Sequence, residues 1–252
     1  MSFAVPAAAY DSFMGRYSVL LSPKFADFAG VRGGQRVLDV GCGPGALAAE
    51  LVERVGASAV SAVDPSEPFV VAARARNPTV DVQQASAEQL PFPGGMFDVT
   101  LAQLVVHFMS DPAAGVSEMR RVTRQNGVVA ACVWDHAGDQ GPLSPFWEAA
   151  RDFDPELEGE SRLMGSREGD LSRLFESAGL AEVEETALTV RVEHPSFDEW
   201  WEPFTLGVGP AGSHVAGLDA ERRAQLREHC HALLPDPPFV LTGLAWTARG
   251  LA

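Results

Sequence analysis

The chain has 252 residues, with 34 acidic against 19 basic side chains and a formal net charge of −15; 46% of it is hydrophobic and 21% charged. Those proportions fit an ordinary globule of one large domain, or one domain with an insertion. The acidic balance argues against a nucleic-acid partner, whose phosphates require a basic stripe. Arg120, Arg121 and Arg124 come closest to a basic cluster, and their helical spacing reads as a solvated face. Cys42, Cys132 and Cys230 are far apart and form no C-x-x-C pair. That excludes a disulfide framework or zinc site of cysteines, suits a reducing compartment, and leaves no metal expected. Met1 to Tyr10 lacks the basic start and apolar core of a signal peptide, and the longest apolar run, Val128 to Trp134, is too short to span a membrane. A cytoplasmic location without membrane contact is the expectation.

Tyr10 to Tyr17 precedes a helical stretch that reaches Phe28. Its aromatic content makes residues 1–30 a packed N-terminal cap rather than a loose tail. Gly33-Gly34 turns the chain into Val37-Leu38-Asp39-Val40, an apolar run short enough for a buried strand. Gly41-Cys42-Gly43-Pro44-Gly45 follows, and Leu47, Leu51, Val52 and Val55 then fall on one helical face. A strand, a tight glycine turn and a helix N-terminus are where doubly wound α/β folds hold nucleotide-like ligands. Glycine lets the ligand approach the backbone and supplies any positive φ the turn needs. Cys42, lodged between loop glycines, reads as a small turn residue and not as a nucleophile.

The loop also satisfies the dinucleotide pattern G-x-G-x-x-G/A, so an NAD(P)-dependent oxidoreductase is one reading. Asp39 separates it from the other. A carboxylate two residues before the first glycine would repel a pyrophosphate and attract a ligand bearing an amine. With that acid the stretch closely resembles the first motif of class I S-adenosylmethionine (SAM)-dependent methyltransferases, acid-x-Gly-x-Gly-x-Gly. The resemblance implies SAM as cofactor, with Asp39, Gly41, Cys42 and Gly43 around it. It also implies a leader that closes over the cofactor, so that Tyr10 and Arg16 reach the methionine carboxylate.

Gly56 reads as a helix cap, and a second strand over Ala59 to Val63 ends in Asp64, an acid placed to accept from both ribose hydroxyls. Pro65 and Ser66 would line the adenine edge, and a helix runs from Phe69 to Arg76. After a third strand, Val80 to Gln84, Ala85-Ser86-Ala87-Glu88-Gln89-Leu90-Pro91-Phe92 resembles the family's Gly-Asp-Ala-Glu-x-Leu-Pro-Phe. The resemblance puts Ser86 opposite the adenine amino group, as a weaker acceptor than the usual acid, and the Ala87 N–H against the ring. A fourth strand, Phe97 to Ala102, leads to Gln103 and His107 at the carboxyl edge, where His107 has the chemistry of a general base. Asp111-Pro112 starts a helix that runs to Arg124. Asn126-Gly127 turns into a fifth strand, Val128 to Trp134, which delivers Trp134 and His136 as acceptor contacts. Arg121 to Gly127 resembles the family's Arg-x-Leu-Lys-Pro-Gly-Gly with clear departures at a surface turn.

Helices at 145–153 and 170–178 and a sixth strand, Val183 to Val192, follow. Residues 195–238 are longer than a hairpin needs; they hold Trp200-Trp201, a Gly/Pro-rich bend from Gly207 to Gly212, and a helix from Asp219 to Leu233. They read as an acceptor lid walled by the two tryptophans, inserted before a last strand from Phe239 to Thr247. Motif order is similar to that of small-molecule methyltransferases of quinone biosynthesis (methyltransferase type 11), and the insertion to trans-aconitate methyltransferases. What the resemblance implies is a Rossmann-like doubly wound seven-stranded sheet with an antiparallel last strand, its core in residues 31–194 and 239–252. It implies methyl transfer to a small-molecule acceptor, a non-catalytic SAM-binding protein being the other possibility.

Overall fold

The computed structural model describes residues 5–252. Its centre is a seven-stranded sheet in the order β3-β2-β1-β4-β5-β7-β6. The strands are β1 (Val37–Val40), β2 (Val60–Asp64), β3 (Asp81–Gln84), β4 (Phe97–Gln103), β5 (Thr123–Trp134), β6 (Ala181–His194) and β7 (Phe239–Leu251). β1 to β5 are parallel, and β7 runs antiparallel between β5 and β6. Chain order runs outward from β1 to β3, then resumes at β4 on the other side of β1. That reversal opens a crevice beyond the carboxyl ends of β1 and β4, the switch point where such sheets bind ligands.

The helices bury both faces, as a parallel sheet requires. Side chains alternate along β5: Ala130, Cys132 and Trp134 join one core, and Val129, Ala131 and Val133 the other. The first core packs under α2 (Arg16–Phe28), α3 (Ala46–Val55) and α4 (Glu67–Arg76) through Leu21, Phe25, Leu47, Leu51 and Val70. The second lies under α5 (Pro112–Val122) and α7 (Asp170–Ser177) through Val116, Met119, Leu171 and Phe175. Each of these large side chains contributes about 1.5–3 kcal/mol on burial. On β1, Asp39 stands alone as an acid among four fully buried residues.

Three local expectations need correction. The N-terminal stretch is helical from Ala7 on: α1 (Ala7–Tyr10), a π-turn over Asp11–Gly15 and α2 follow without a break. β5 begins at Thr123, and Asn126, at φ 59°, sits in a register irregularity inside the strand instead of a turn before it. Gly209–Gly217 forms a helix, α9, where a bend was expected. Proline in a helix's first turn forfeits only an N–H that has no helical partner there, so Gly209-Pro210 can open one. The helices expected at 145–153 and from Asp219 to Leu233 form as α6 (Ser144–Phe153) and α10 (Ala220–Leu233), and Phe197–Trp201 adds α8 between β6 and β7.

Candidate active site

The glycine loop is held by the strand beside it. The amides of Gly41 and Cys42 donate to the Val63 carbonyl at 2.8 and 2.9 Å. The Asp64 carboxylate accepts from Gly43 N–H and Ser66 N–H, both at 2.8 Å. Each Asp64 oxygen keeps lone-pair capacity for a further donor. Burial raises its pKa, against the pull of those two amides. A Cβ on Gly41 would collide with Val105, while one on Gly43 would meet nothing nearer than Tyr10 Cε1 at 4.0 Å. Gly43 therefore borders open space, the cradle the loop was expected to offer.

Asp39 is 1% exposed, and neither carboxylate oxygen has a hydrogen-bond partner. Burial first, and then the charge of Asp64, push its pKa up to about 8. The Ala48 amide pulls the other way without making a hydrogen bond, so the carboxylate stays costly to bury and suited to a cationic donor. Burial also drives the Cys42 thiol well above its usual range, with Asp39 adding to the effect, so it is not a nucleophile.

Three cavities meet at Tyr10. The largest, about 430 Å³, is lined by Gly41, Asp64, Pro65, Ser66, Ser86 and Ala87, with Phe69, Leu104 and Met109 across from them. A small one of about 20 Å³ lies over Asp39, Gly41, Cys42 and Gln103. The third, about 30 Å³, is bounded by His107, Trp134, His136 and Glu160, with Phe13, Met14 and Val208. Tyr10 borders all three, its ring edge-on to Phe69 at 5.3 Å, and burial pushes its hydroxyl pKa up to about 12. Gln103 Nε2 donates to Ser22 Oγ at 3.0 Å, and its Oε1 is left without a partner.

The residues expected at the cofactor gather here with one exception. Arg16 faces away: its guanidinium bonds Glu199, Ser12 O at 2.9 Å and His194 Nδ1 at 3.3 Å, beside a separate cleft. The insertion's carboxylate takes the cation expected for the ligand. Trp200 and Trp201 also differ from expectation. They are 3% and 4% exposed and pack with Phe197 and Phe204, away from the third cavity. Trp134 does line that cavity, its Nε1 donating to Met14 Sδ at 3.2 Å. Glu88 caps the Ser110 and Asp111 amides at 2.8 and 3.2 Å.

Sequence reasoning missed Glu160, an acid in an acid-rich loop that proves to be 3% exposed. It missed Leu104 too, whose φ of 61° at the end of β4 sets it on the wall between the first and third cavities. Positive φ at a leucine is strained and has no sequence signature. His107 and His136 are buried with ring centroids 5.8 Å apart, and burial lowers both pKa values, His107 well below its usual range, leaving neutral imidazoles.

A family model described as "Methyltransferase domain" matches residues 38–131. The phosphatidylethanolamine N-methyltransferase of Cereibacter sphaeroides is 34% identical over 156 residues, 60% of this chain and 74% of that protein. The ubiquinone/menaquinone biosynthesis C-methyltransferase UbiE of Bdellovibrio bacteriovorus is 32% identical over 50% of this chain and 57% of its own length. Among solved structures, the YcgJ protein of Bacillus subtilis superposes with a TM-score of 0.60 at 22% identity, covering 93% of this chain and 97% of that one. That likeness concerns the fold.

Proposed function

The chain belongs to the SAM-dependent methyltransferases, and on that premise we propose that it methylates a small-molecule acceptor held between His107, Trp134 and His136. SAM is its cofactor and supplies a methyl group already activated on a sulfonium, leaving S-adenosylhomocysteine. The chain's own residues have to bind, orient and keep water out. Asp64, fixed by the Gly43 and Ser66 amides, accepts from the ribose hydroxyls. Ser86 and Ala87, with Pro65 and Ser66, face the adenine, and Asp39 draws the ammonium. Leu104 and Tyr10 stand where the cofactor's cavity meets the acceptor's. His107 and His136, neutral at physiological pH, each bring an unpartnered ring nitrogen to the acceptor's side of the site.

Residues 195–238 serve as the lid through Val208, Gly209 and Pro210, which border the acceptor cavity. A net charge of −15 favours a small acceptor over a polyanion. The three cysteines, all free and buried, fit the reducing cytoplasm expected from their spacing. The observation that carries the reading is the bare Asp39 carboxylate under the small cavity it shares with Gly41, which also lines, with Asp64, the neighbouring cavity of about 430 Å³. Thermal shift against SAM, S-adenosylhomocysteine, NAD and NADP tests it. At a hundredfold excess over Kd the two sulfur ligands should add ~2.7 kcal/mol. Stabilisation by NAD alone overturns the reading. A screen of small molecules with methyl-labelled SAM then identifies the acceptor.

A further inference from the structure

Among the described residues, His107, His136 and Glu160 form a cluster in which each offers one ligand atom and all three atoms lie within 4.8 Å of one another. They come from three separate places: the turn after β4, the end of β5, and the loop between α6 and α7. All three border the third cavity, and their exposures are 7%, 6% and 3%. Unpaired polar atoms at that depth need a reason. His107 Nδ1 and His136 Nε2 are both buried without a hydrogen-bond partner. Glu160 is held in place, its Oε2 accepting from Trp147 Nε1 at 2.9 Å. An oriented carboxylate with a hydrogen bond behind it is the usual support of a metal ligand.

We propose that His107, His136 and Glu160 bind a divalent transition-metal ion, with its remaining coordination positions open to the acceptor cavity. Two imidazoles and one carboxylate suit Zn²⁺, Fe²⁺ or Co²⁺ and not the hard, oxygen-seeking Mg²⁺ or Ca²⁺. The size is right: the corners of an equilateral triangle of side 4.8 Å lie about 2.8 Å from its centre. Drawing each ligand in by a little more than about half an ångström reaches metal bonds of about 2.0–2.2 Å. The third cavity, at about 30 Å³, has room for an ion with a bound water. If the methyltransferase reading holds, the ion would also choose the acceptor, favouring one whose anionic oxygen can replace that water. This last step rests on the proposed function; metal binding does not.

The test is titration of the chelator-stripped full chain with Co²⁺, read by visible d–d absorption, with Zn²⁺ as competitor and Mg²⁺ as control. One equivalent of Co²⁺ should bind, Zn²⁺ should displace it, and Mg²⁺ should not. Glu160→Gln and His136→Gln should each weaken Co²⁺ binding at least tenfold, while S-adenosylhomocysteine binding, measured in parallel, stays within about threefold and reports that the variants fold. His229→Ala, which removes the exposed His229–Asp152 pair, should leave Co²⁺ binding intact. No Co²⁺ binding to the parent chain, or binding equally tight in both cluster variants, overturns the proposal. Co²⁺ binding without any SAM or S-adenosylhomocysteine binding would leave the metal site standing and sink the cofactor reading instead.

Discussion

With both oxygens buried and unpartnered, Asp39 holds a proton that an ordinary aspartate has lost by pH 7. Its pKa near 8 in the folded chain stands against about 3.8 when unfolded, so between those values the native state binds the extra proton. Stability without ligand should therefore fall as pH climbs from about 4 to about 8, and Asp39→Asn should flatten that slope. On the proposed reading the cofactor's ammonium requires the carboxylate, so SAM binding at pH 7 should release close to one proton. Calorimetry in two buffers of different ionisation enthalpy measures this directly, and Asp39→Asn should abolish the release. Gly43 and Asp64 act through geometry instead. Gly43→Val puts a branched side chain at φ 53° into open space below Tyr10. It should cost the fold about 1–3 kcal/mol of strain and eliminate SAM binding. Asp64→Ala frees two loop amides as well as the ribose contacts and should weaken SAM by ~1–3 kcal/mol. Unchanged affinity in either variant places the ribose elsewhere.

At the scale of elements, what could be read in the sequence was what neighbours in the chain decide. Strand–glycine–helix at 37–55 and the Asp111-Pro112 cap are local, and the Asp111 carboxylate does accept from Ala114 N–H at 3.0 Å. What escaped reading depends on partners far away. Glu199 claims Arg16 across 183 residues, and His194 reaches Tyr17 Oη at 3.0 Å across 177. Those bonds tie the N-terminal helix to the end of β6 and to the insertion, and no spacing rule predicts them. The tryptophan pair was legible as apolar but not as interior: with Phe197 and Phe204 the two rings join the core that the insertion shares with the rest of the chain, Phe204 stacking on Phe146 and meeting Phe13 edge-on. This separates two variants. Trp200→Ala should cost about 3–5 kcal/mol, seen as a lower Tm. Val208→Phe, at the acceptor cavity's wall, should instead lower turnover or raise acceptor KM with SAM affinity unchanged. If Val208→Phe leaves the kinetics of a folded enzyme untouched, the insertion is not the lid.

Over the whole molecule, sheet order and ligand position follow from one event, the chain's return to the far side of β1 after β3. It gathers the carboxyl ends of β1, β2 and β4 into one crevice, so Asp39, Asp64 and Gln103 meet there although 64 residues separate the first from the last (103 − 39). No helix among the described residues is long and apolar enough to cross a membrane. The acidity is likewise a property of the whole chain, and it bears on which ligand the crevice keeps. SAM carries ammonium, sulfonium and carboxylate, a net charge of +1; S-adenosylhomocysteine has lost the sulfonium and is neutral. A field set by −15 charges therefore favours the substrate over the product. The distant part of that field is screened at a Debye length of about 8–10 Å near physiological salt, whereas Asp39 and Asp64, which the proposed function sets against the ligand, would be screened much less. Raising salt from about 20 to about 500 mM, where the Debye length drops several-fold, should weaken SAM binding by a few-fold and leave S-adenosylhomocysteine nearly unchanged. Calorimetric titration of both ligands at the two salt concentrations decides it. Equal salt dependence would mean that the sulfonium feels no net field from the chain, and that cofactor exchange is governed by the contacts around Tyr10 alone.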